Sequence, residues 1–218
     1  MLIVGVTGGV ASGKTTVSRI FEEEGAYLID ADQIARELVQ PNRPAWKEIT
    51  RAFGKEILEK DGTIDRKRLA DIAFSDSGRR RILNKILHPR IKKEMGKRAR
   101  EIGRKDPGAI VIFDVPLLVE TGFHQEVDRV VVVASKEIQQ IERLKKRAGV
   151  SEEETGRIIS SQMKIEEKVK AADFVIRNEG SIETTRTRAR EVFQALRRIT
   201  LQKRRGPTDK STLMLHKK

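Results

Sequence analysis

The sequence contains no cysteine, which excludes a disulfide scaffold, a thiol nucleophile and any cysteine-ligated zinc or iron–sulfur centre. Its three histidines, His88, His124 and His216, are far apart, so a histidine-rich metal site is not expected. Aromatic residues make up only 4% of the chain, with one tryptophan and one tyrosine. This scarcity argues against a surface that stacks on the bases of nucleic acids.

Long apolar runs are also missing. None approaches the ~20 residues that a membrane-spanning helix requires. Residues 1–7 are apolar, but the run is too short for a signal peptide and has no basic flank. We therefore expect a cytoplasmic protein that does not enter a membrane.

Positive charge is abundant. The 218 residues include 45 Lys and Arg against 32 Asp and Glu, a net charge of +13. Such a surplus favours a polyanionic partner: nucleic acid, phosphorylated small molecules or an acidic membrane surface. Much of it lies in residues 90–105 and in the last 18 residues.

Five short apolar runs without polar alternation are typical of strands buried on both faces of a parallel sheet. They are residues 2–7, 26–29, 109–113, 129–133 and 173–176. Helical patterns separate them, which predicts an α/β fold with a five-stranded parallel sheet flanked by helices.

Two helical insertions interrupt this alternation, because no strand pattern occurs in residues 31–106 or 136–171. The first is too long for an ordinary connection, and we expect it to shape an acceptor pocket. Asp65 and Ser75 are its candidate N-caps. The second is highly charged and has the character of a lid; its helices stop at Gly149 and restart at a capping box of Ser151 and Glu154. We predict one domain over residues 1–200, with its core in residues 1–30, 107–135 and 172–200, and a disordered basic tail over residues 201–218.

A glycine-rich motif follows the first strand. Residues 8–15, GGVASGKT, match Gly-x4-Gly-Lys-Ser/Thr and open an amphipathic helix. The glycines allow backbone N–H groups to surround phosphates, Lys14 adds a cation, and the Thr15 hydroxyl can bind Mg²⁺. A glycine-rich turn that binds nothing is the alternative, but a strand before the motif and a helix after it favour a phosphate loop.

Acidic residues end two of the predicted strands. Asp30 and Asp32 follow the second strand, where ligands bind in open parallel sheets. Asp32 is placed to accept a proton from an attacking hydroxyl, whereas one of the pair could instead cap the next helix. Asp114 ends the third strand and has the position of a Walker-B carboxylate.

The class of nucleotide enzyme follows from what accompanies the loop. A GTPase would need an Asn-Lys-x-Asp guanine reader, and the nearest string, residues 84–87, lacks the aspartate. The compact sheet with two helical insertions favours a small-molecule kinase, in which a lid excludes water from the transferred group.

These motifs together resemble the dephospho-coenzyme A kinase family. The matching strings are TGGVASGKT (7–15), IDAD (29–32), DGTIDR (61–66), HPRI (88–91), DVPLLVE (114–120), Arg143 with Arg147, Gln162, and ADFVIRN (172–178). The resemblance covers about residues 1–198, in the right order, and the basic tail has no place in it. It implies phosphoryl transfer from ATP, with Mg²⁺, to the ribose 3′-hydroxyl of dephospho-coenzyme A.

The resemblance also implies roles for individual residues. It makes Asp32 the base and places Lys14, Arg143 and Arg147 on the transferred phosphoryl group. The nucleotide-binding residues are Gly8, Gly9, Val10, Ala11, Ser12, Gly13, Lys14, Thr15 and Thr16, with Asn178 beside the adenine. The acceptor-binding residues are Asp32, Arg66, His88, Leu117, Leu118 and Glu120, and the metal-binding residue is Thr15.

Plainer interpretations stay open at several of these positions. Arg143 and Arg147 could form a solvated helix face, His88 could end a helix before Pro89, and Leu117 and Leu118 could be core residues. Two other functions also remain: a nucleoside or nucleoside-monophosphate kinase of the same fold, and a nucleic-acid-binding protein with a phosphate loop. The second predicts salt-sensitive binding to DNA or RNA. The sequence does not indicate the oligomeric state.

Overall fold

The structure is a computed structural model that describes residues 1–148 and 152–205. These residues form two compact units. The first comprises Met1–Leu28 and the described residues from Ile102 onward, and the second comprises Ile29–Glu101. The second unit corresponds to the predicted helical insertion, residues 31–106, with slightly different ends.

The described strands form one sheet, in the order β2-β3-β1-β4-β5. Their bounds are β1 Leu2–Gly8, β2 Tyr27–Asp30, β3 Ile110–Asp114, β4 Arg129–Ala134 and β5 Phe174–Arg177. Strand β1 pairs in parallel with β3 and with β4, so that Val4 lies beside Ile112 and Val6 beside Val131. Strand β4 pairs in parallel with β5. The predicted five-stranded parallel sheet is confirmed, with each strand end within one residue of its predicted place.

The described helices follow the predicted pattern. They are α1 Lys14–Glu23, α2 Ala31–Leu38, α3 Pro44–Phe53, α4 Arg66–Ser75, α5 Ser77–Lys105, α6 Glu137–Ala148, α7 Glu152–Ser160, α8 Ile165–Lys170 and α9 Ile182–Arg205. Helices α6, α7 and α8 occupy the predicted lid, residues 136–171, which we call the lid segment. The predicted helix stop at Gly149 and the capping box of Ser151 with the Glu154 side chain lie outside the described residues.

The core of the first unit lies between the sheet and helices α1 and α9. It includes Val4, Val6, Ile112 and Val131 from the strands, all fully buried. The rings of Phe21 and Phe193 stack with centroids 5.7 Å apart. The central strands β1, β3 and β4 are buried over most of their length, and burial of each large apolar side chain contributes about 1.5–3 kcal/mol.

Helix α9 is longer than the sequence predicts. It runs to Arg205, five residues into the stretch assigned to the disordered tail. The buried Thr200 donates its hydroxyl to the Leu196 carbonyl at 3.0 Å, and Lys203 reaches Asp128 at 2.6 Å. These contacts hold the last turns of the helix. The predicted start of the disordered tail at residue 201 is therefore wrong. Residues 206–218 of the predicted tail lie outside the described residues.

The second unit has its own apolar core. Ile49, Phe53, Ile57, Ile64 and Leu69 are buried in it, and the indole N–H of Trp46 donates to the Gly62 carbonyl at 2.9 Å. The predicted cap Asp65 is confirmed, because its carboxylate accepts from the Arg68 N–H at 3.0 Å and begins α4.

The other predicted cap in this unit, Ser75, is wrong. Ser75 ends α4 and donates its hydroxyl to the Ile72 carbonyl at 3.1 Å. The carboxylate of Asp76 instead accepts from the N–H groups of Gly78 and Arg79, at 2.7 and 3.1 Å. These hydrogen bonds hold the pKa of Asp76 below its usual value, and the bond from the Arg79 N–H has the largest effect. A carboxylate serves better here because it only accepts hydrogen bonds, whereas the serine hydroxyl is bonded within its own helix.

Helix α5 continues through Pro89 for 29 residues. His88 therefore lies inside a helix, and the alternative that it ends one before Pro89 is wrong. An interior proline removes one backbone donor and clashes with the carbonyl four residues earlier, a cost of about 3 kcal/mol that the rest of this long helix outweighs. Leu83, Ile86 and Leu87 pack on the core of the second unit, whereas Ile82 is exposed.

Candidate active site

The phosphate loop connects β1 to α1. Its backbone turns sharply: the Ser12 N–H donates to the Gly9 carbonyl at 3.1 Å, and Ala11 and Gly13 have φ angles of +53° and +93°. A reversal of φ from residue to residue produces a concave backbone that binds anions through its N–H groups. Helix α1 starts directly after it with no acidic residue in its first turn, so the positive end of the helix is suited to bind an anion there.

Two glycines of the loop are required by close contacts. A Cβ at Gly8 would overlap the Val133 carbonyl oxygen, because the loop leaves β1 against the neighbouring strand β4. A Cβ at Gly13 would overlap the side-chain nitrogen of Asn178, and the left-handed φ already disfavours any other residue. The loop therefore keeps its shape through packing as well as through backbone freedom.

Lys14 binds the carboxylate of Asp114 in an ion pair. Asp114 is 3% exposed and ends β3, beside the end of β1. Burial makes such a pair stronger than a surface pair, because little water screens it. The predicted Walker-B position of Asp114 therefore places a carboxylate against the loop lysine. Thr15 is exposed in the first turn of α1, and the Thr16 N–H donates to the Gly13 carbonyl at 3.0 Å.

Arg143 of α6 lies against the phosphate loop. One guanidinium nitrogen donates to the carbonyls of Ala11 and Ser12 at 3.2 and 3.3 Å, and the other donates to the Asn178 carbonyl at 3.0 Å. The interpretation of Arg143 as part of a solvated helix face is therefore wrong. Arg147 belongs to the same helix, but its side chain lies outside the described residues.

The Asn178 side chain is buried, and its amide forms hydrogen bonds within the protein. Its amide nitrogen donates to the Ser12 carbonyl at 2.8 Å, and its oxygen accepts from the Thr185 hydroxyl at 2.8 Å. Both ends of the amide therefore support the loop, and the contact with adenine stays a prediction. Sequence reasoning missed Thr185, although a fully buried threonine near the start of a charged helix needs a partner.

Two residues of the lid segment also reach the loop. Gln162 accepts a hydrogen bond from the Val10 N–H at 2.9 Å, which explains its place among the matching motifs. Lys168 is fully buried, and its ammonium lies 2.7 Å from Glu120. Sequence reasoning missed Lys168, because a lysine in a charged helix usually faces solvent.

The two leucines after β3 differ in their environment. Leu117 is 39% exposed and is available to a ligand. Leu118 has no exposed surface and packs over Gly5, where the missing side chain makes room for it. Leu118 is therefore a core residue, as the alternative interpretation held, and its predicted contact with the acceptor is corrected accordingly.

A cavity of about 540 Å³ opens beside the phosphate loop. Its lining includes Gly9 and Val10 of the loop, Ser135 after β4, Gln162 and Arg177. Its volume lies within the ~300–1,000 Å³ range of small-molecule sites. The cavity and the loop belong to the first unit, and together they form a candidate nucleotide site.

The second unit carries the remaining predicted residues. Asp30 caps α2, since its carboxylate accepts from the N–H groups of Asp32 and Gln33 at 2.7 and 3.2 Å. The capping role therefore belongs to Asp30, and Asp32 is exposed in the first turn of α2.

Arg66 lines a cavity of about 390 Å³ with Val39 and Thr63 among its neighbours. Burial, and then the charge of Lys92, hold the pKa of His88 below its usual value.

Metal binding by the protein alone has no basis in residues 1–148 and 152–205, which hold no group of three or more acidic or histidine side chains arranged for a metal. Magnesium in kinases needs fewer protein ligands, because phosphate oxygens and water complete its octahedral shell. Thr15, next to Lys14 in the chain, and Asp114, its ion-pair partner, both supply oxygen atoms, so the residues present fit such an ion. No helix in the described part of the chain has the length and apolarity to cross a membrane.

Comparison with known proteins agrees with this geometry. The chain matches the dephospho-CoA kinase family over residues 2–184. A dephospho-CoA kinase of Bacillus thuringiensis subsp. konkukian is 46% identical over 193 residues, which are 88% of this chain and 96% of the relative. The solved structure of TT1252 from Thermus thermophilus has a TM-score of 0.77 at 30% identity and covers 89% of this chain and 97% of its own. That of a dephospho-CoA kinase from Campylobacter jejuni has a TM-score of 0.60 at 28% identity and covers 89% and 96%. Since the family match contains both the phosphate loop and the Asp30–Asp32 segment, the chain belongs to the dephospho-CoA kinase family.

Proposed function

We propose that this chain transfers the γ-phosphoryl group of ATP to the ribose 3′-hydroxyl of dephospho-CoA, which gives CoA and ADP. The observation that carries the proposal is the phosphate loop with Lys14 held by Asp114, in a member of the dephospho-CoA kinase family. The reaction takes place in the cytoplasm, as the sequence predicts.

ATP binds in the first unit. The N–H groups of residues 8–16 and the positive end of α1 receive the β- and γ-phosphates, and the adjoining cavity has room for the rest of the nucleotide. Lys14 exchanges its carboxylate partner for phosphate oxygens. Arg143 already lies within hydrogen-bond distance of the loop, so a small movement brings its charge to the γ-phosphate.

The Thr15 hydroxyl and the Asp114 carboxylate would hold Mg²⁺, which would neutralise negative charge that develops on the β- and γ-phosphates. Asp114 would serve this role once Lys14 has turned from it to the nucleotide.

Asp32 is the base. As the 3′-hydroxyl oxygen bonds to the γ-phosphorus, its proton passes to the Asp32 carboxylate, and the bond from the γ-phosphorus to the bridging oxygen breaks. Asp30 supplies the cap of α2 and Asp32 lies exposed in the first turn, which supports this role.

The acceptor is bound by Arg66, His88, Leu117 and Glu120. Arg66 is exposed at the edge of its cavity and suits a phosphate of the acceptor, whereas Leu117 offers an apolar surface. His88 is largely neutral at pH 7, because its pKa is lowered, so it binds by hydrogen bonding rather than by charge. Arg147 joins Arg143 at the transferred group in this proposal.

The proposal is tested with the full chain, ATP and Mg²⁺ against dephospho-CoA, AMP and ribonucleosides, with ADP release as the signal and mass spectrometry of the product. We expect kcat/KM for dephospho-CoA to exceed that for the other acceptors by about 100-fold or more. Lys14→Ala, purified in the same way, controls for contaminating kinases. Equal use of AMP or a nucleoside would contradict the proposed acceptor. Salt-sensitive binding of DNA or RNA without any phosphoryl transfer would favour the nucleic-acid alternative.

A further inference from the structure

Lys168 is a fully buried lysine in the short helix α8. Burial of an ammonium is unfavourable unless its hydrogen bonds are replaced. Two backbone carbonyls accept hydrogen bonds from it, Pro116 at 3.1 Å and Gly8 at 3.4 Å, and Glu120 Oε1 forms an ion pair with it at 2.7 Å. Two hydrogen bonds and one opposite charge thus offset the burial of the ammonium.

These three oxygens belong to two segments that bear on the reaction. Gly8 ends β1 and is the first glycine of the phosphate loop. Pro116 and Glu120 bound the loop that follows β3, and the Pro116 carbonyl also accepts from the Thr7 hydroxyl at 2.9 Å. One buried charge on the lid segment therefore joins the phosphate loop to the loop that contains Leu117.

We propose that Lys168 is a positioning residue, which fixes the phosphate loop and the Pro116–Glu120 loop relative to each other. The proposal rests on the proposed kinase function, in which the first loop holds ATP and the second contacts the acceptor. Lys168 bonds to backbone carbonyls and to Glu120, so it acts through these groups.

The bond to Gly8 shows how the effect reaches the phosphates. A peptide group is planar, so the Gly8 carbonyl and the Gly9 N–H point in opposite directions. A lysine that holds the carbonyl therefore also sets the direction of the next N–H. Gln162, which precedes α8 in the chain, fixes the Val10 N–H by accepting a hydrogen bond from it at 2.9 Å.

Stability alone does not account for such a group. Replacement of a buried ion pair by apolar side chains of similar volume is often neutral or stabilising. The two hydrogen bonds of Lys168 are directional and reach both loops, so their geometry affects where the two loops lie, and that placement matters for phosphoryl transfer.

The test compares Lys168→Met with the matched control Lys170→Met. Lys170 is on the same helix, but it is exposed and forms a surface ion pair with Glu167. With ATP and dephospho-CoA as substrates, we expect Lys168→Met to lower kcat about 10- to 100-fold, with KM for ATP changed by less than about threefold. Lys168→Arg should recover part of the loss, and the control should keep kcat within about twofold.

A second comparison separates positioning from charge balance, because Lys168→Met leaves Glu120 buried without its cation. In Lys168→Met/Glu120→Gln that carboxylate is neutral. We expect kcat of this double variant to stay about tenfold or more below that of Glu120→Gln alone. If the two have equal kcat, Lys168 only balances the charge of Glu120 and the proposal fails.

Hydrogen exchange provides a readout that does not depend on the acceptor. Amides of residues 7–13 and 115–121 should exchange faster in the double variant than in Glu120→Gln, and unchanged exchange in both segments would overturn the proposal. A wild-type chain that phosphorylates no dephospho-CoA would refute the proposed function instead, and the exchange comparison would still decide the role of Lys168.

Discussion

Replacement of Asn178 by alanine removes the side chain that connects the corner between β5 and α9 to the phosphate loop. The amide donates to the Ser12 carbonyl and accepts from the Thr185 hydroxyl, both at 2.8 Å, and the residue is 8% exposed. The change therefore removes a support of the loop backbone at Ser12.

The size of the effect follows from what each partner keeps. The Ser12 carbonyl retains Arg143 at 3.3 Å, and the Thr185 hydroxyl retains the Ser181 carbonyl at 3.2 Å. Neither group is left without a hydrogen bond, so the loss is that of two ordinary bonds, about 2 kcal/mol in the free energy of unfolding. For a chain of this size that corresponds to a fall in Tm of about 4–8 °C.

Steady-state kinetics with ATP and with GTP measure the consequence for binding. A loosened loop weakens the grip on phosphates, so kcat/KM should fall by a similar factor for both nucleotides, about 5- to 10-fold. Thr185→Val should reproduce part of this effect, since the Asn178 amide loses its donor. Thr184→Val, at the exposed neighbouring position, is the control.

Two results would refute this reasoning. A fall for ATP without a fall for GTP would show that Asn178 contacts the adenine base. An unchanged Tm in Asn178→Ala would show that the two buried hydrogen bonds contribute nothing measurable to the fold.

Three further outcomes are expected. Asp32→Asn should lower kcat about 100-fold or more with ATP affinity retained, as loss of a positioned base predicts, and unchanged kcat would remove Asp32 from the mechanism. Lys14→Ala should nearly abolish turnover, and equilibrium ATP binding should weaken as well; retained activity would undermine the role of the loop. His88 has a pKa below the ordinary 6.5, so as pH falls through that value the unfolded chain takes up the proton first and the folded state loses stability. Urea unfolding at pH 7.5 and 5.5 should therefore show a larger loss for the wild type than for His88→Gln, and equal losses would contradict the assigned shift.

The sheet was predictable because its apolar runs carry their own signal. Residues 129–133 have no polar side chain after Arg129, which only a strand covered on both faces tolerates. The phosphate loop was predictable for the same reason, since its glycines and Lys14 form one contiguous motif in residues 8–15. In both cases the information lies within a few consecutive residues.

Contacts between distant segments were not predictable in this way. Lys168 is 160 residues from Gly8, and nothing in its own helix distinguishes it from the exposed Lys170. Leu118 is a core residue because Gly5, far away in the chain, has no side chain. The choice of Asp76 over Ser75 as a cap depended on a shift of one residue, which local propensity does not resolve.

The ion pair between Lys14 and Asp114 has a consequence for turnover. In a kinase that works as proposed, ATP does not meet an uncompensated cation but competes with a carboxylate for it. The electrostatic gain at Lys14 is thus a difference between two ion pairs rather than the whole of one. The same carboxylate competes for Lys14 when ADP is the bound nucleotide, which favours departure of the product. A carboxylate at the end of β3 in this way limits how tightly the enzyme holds both its substrate and its product.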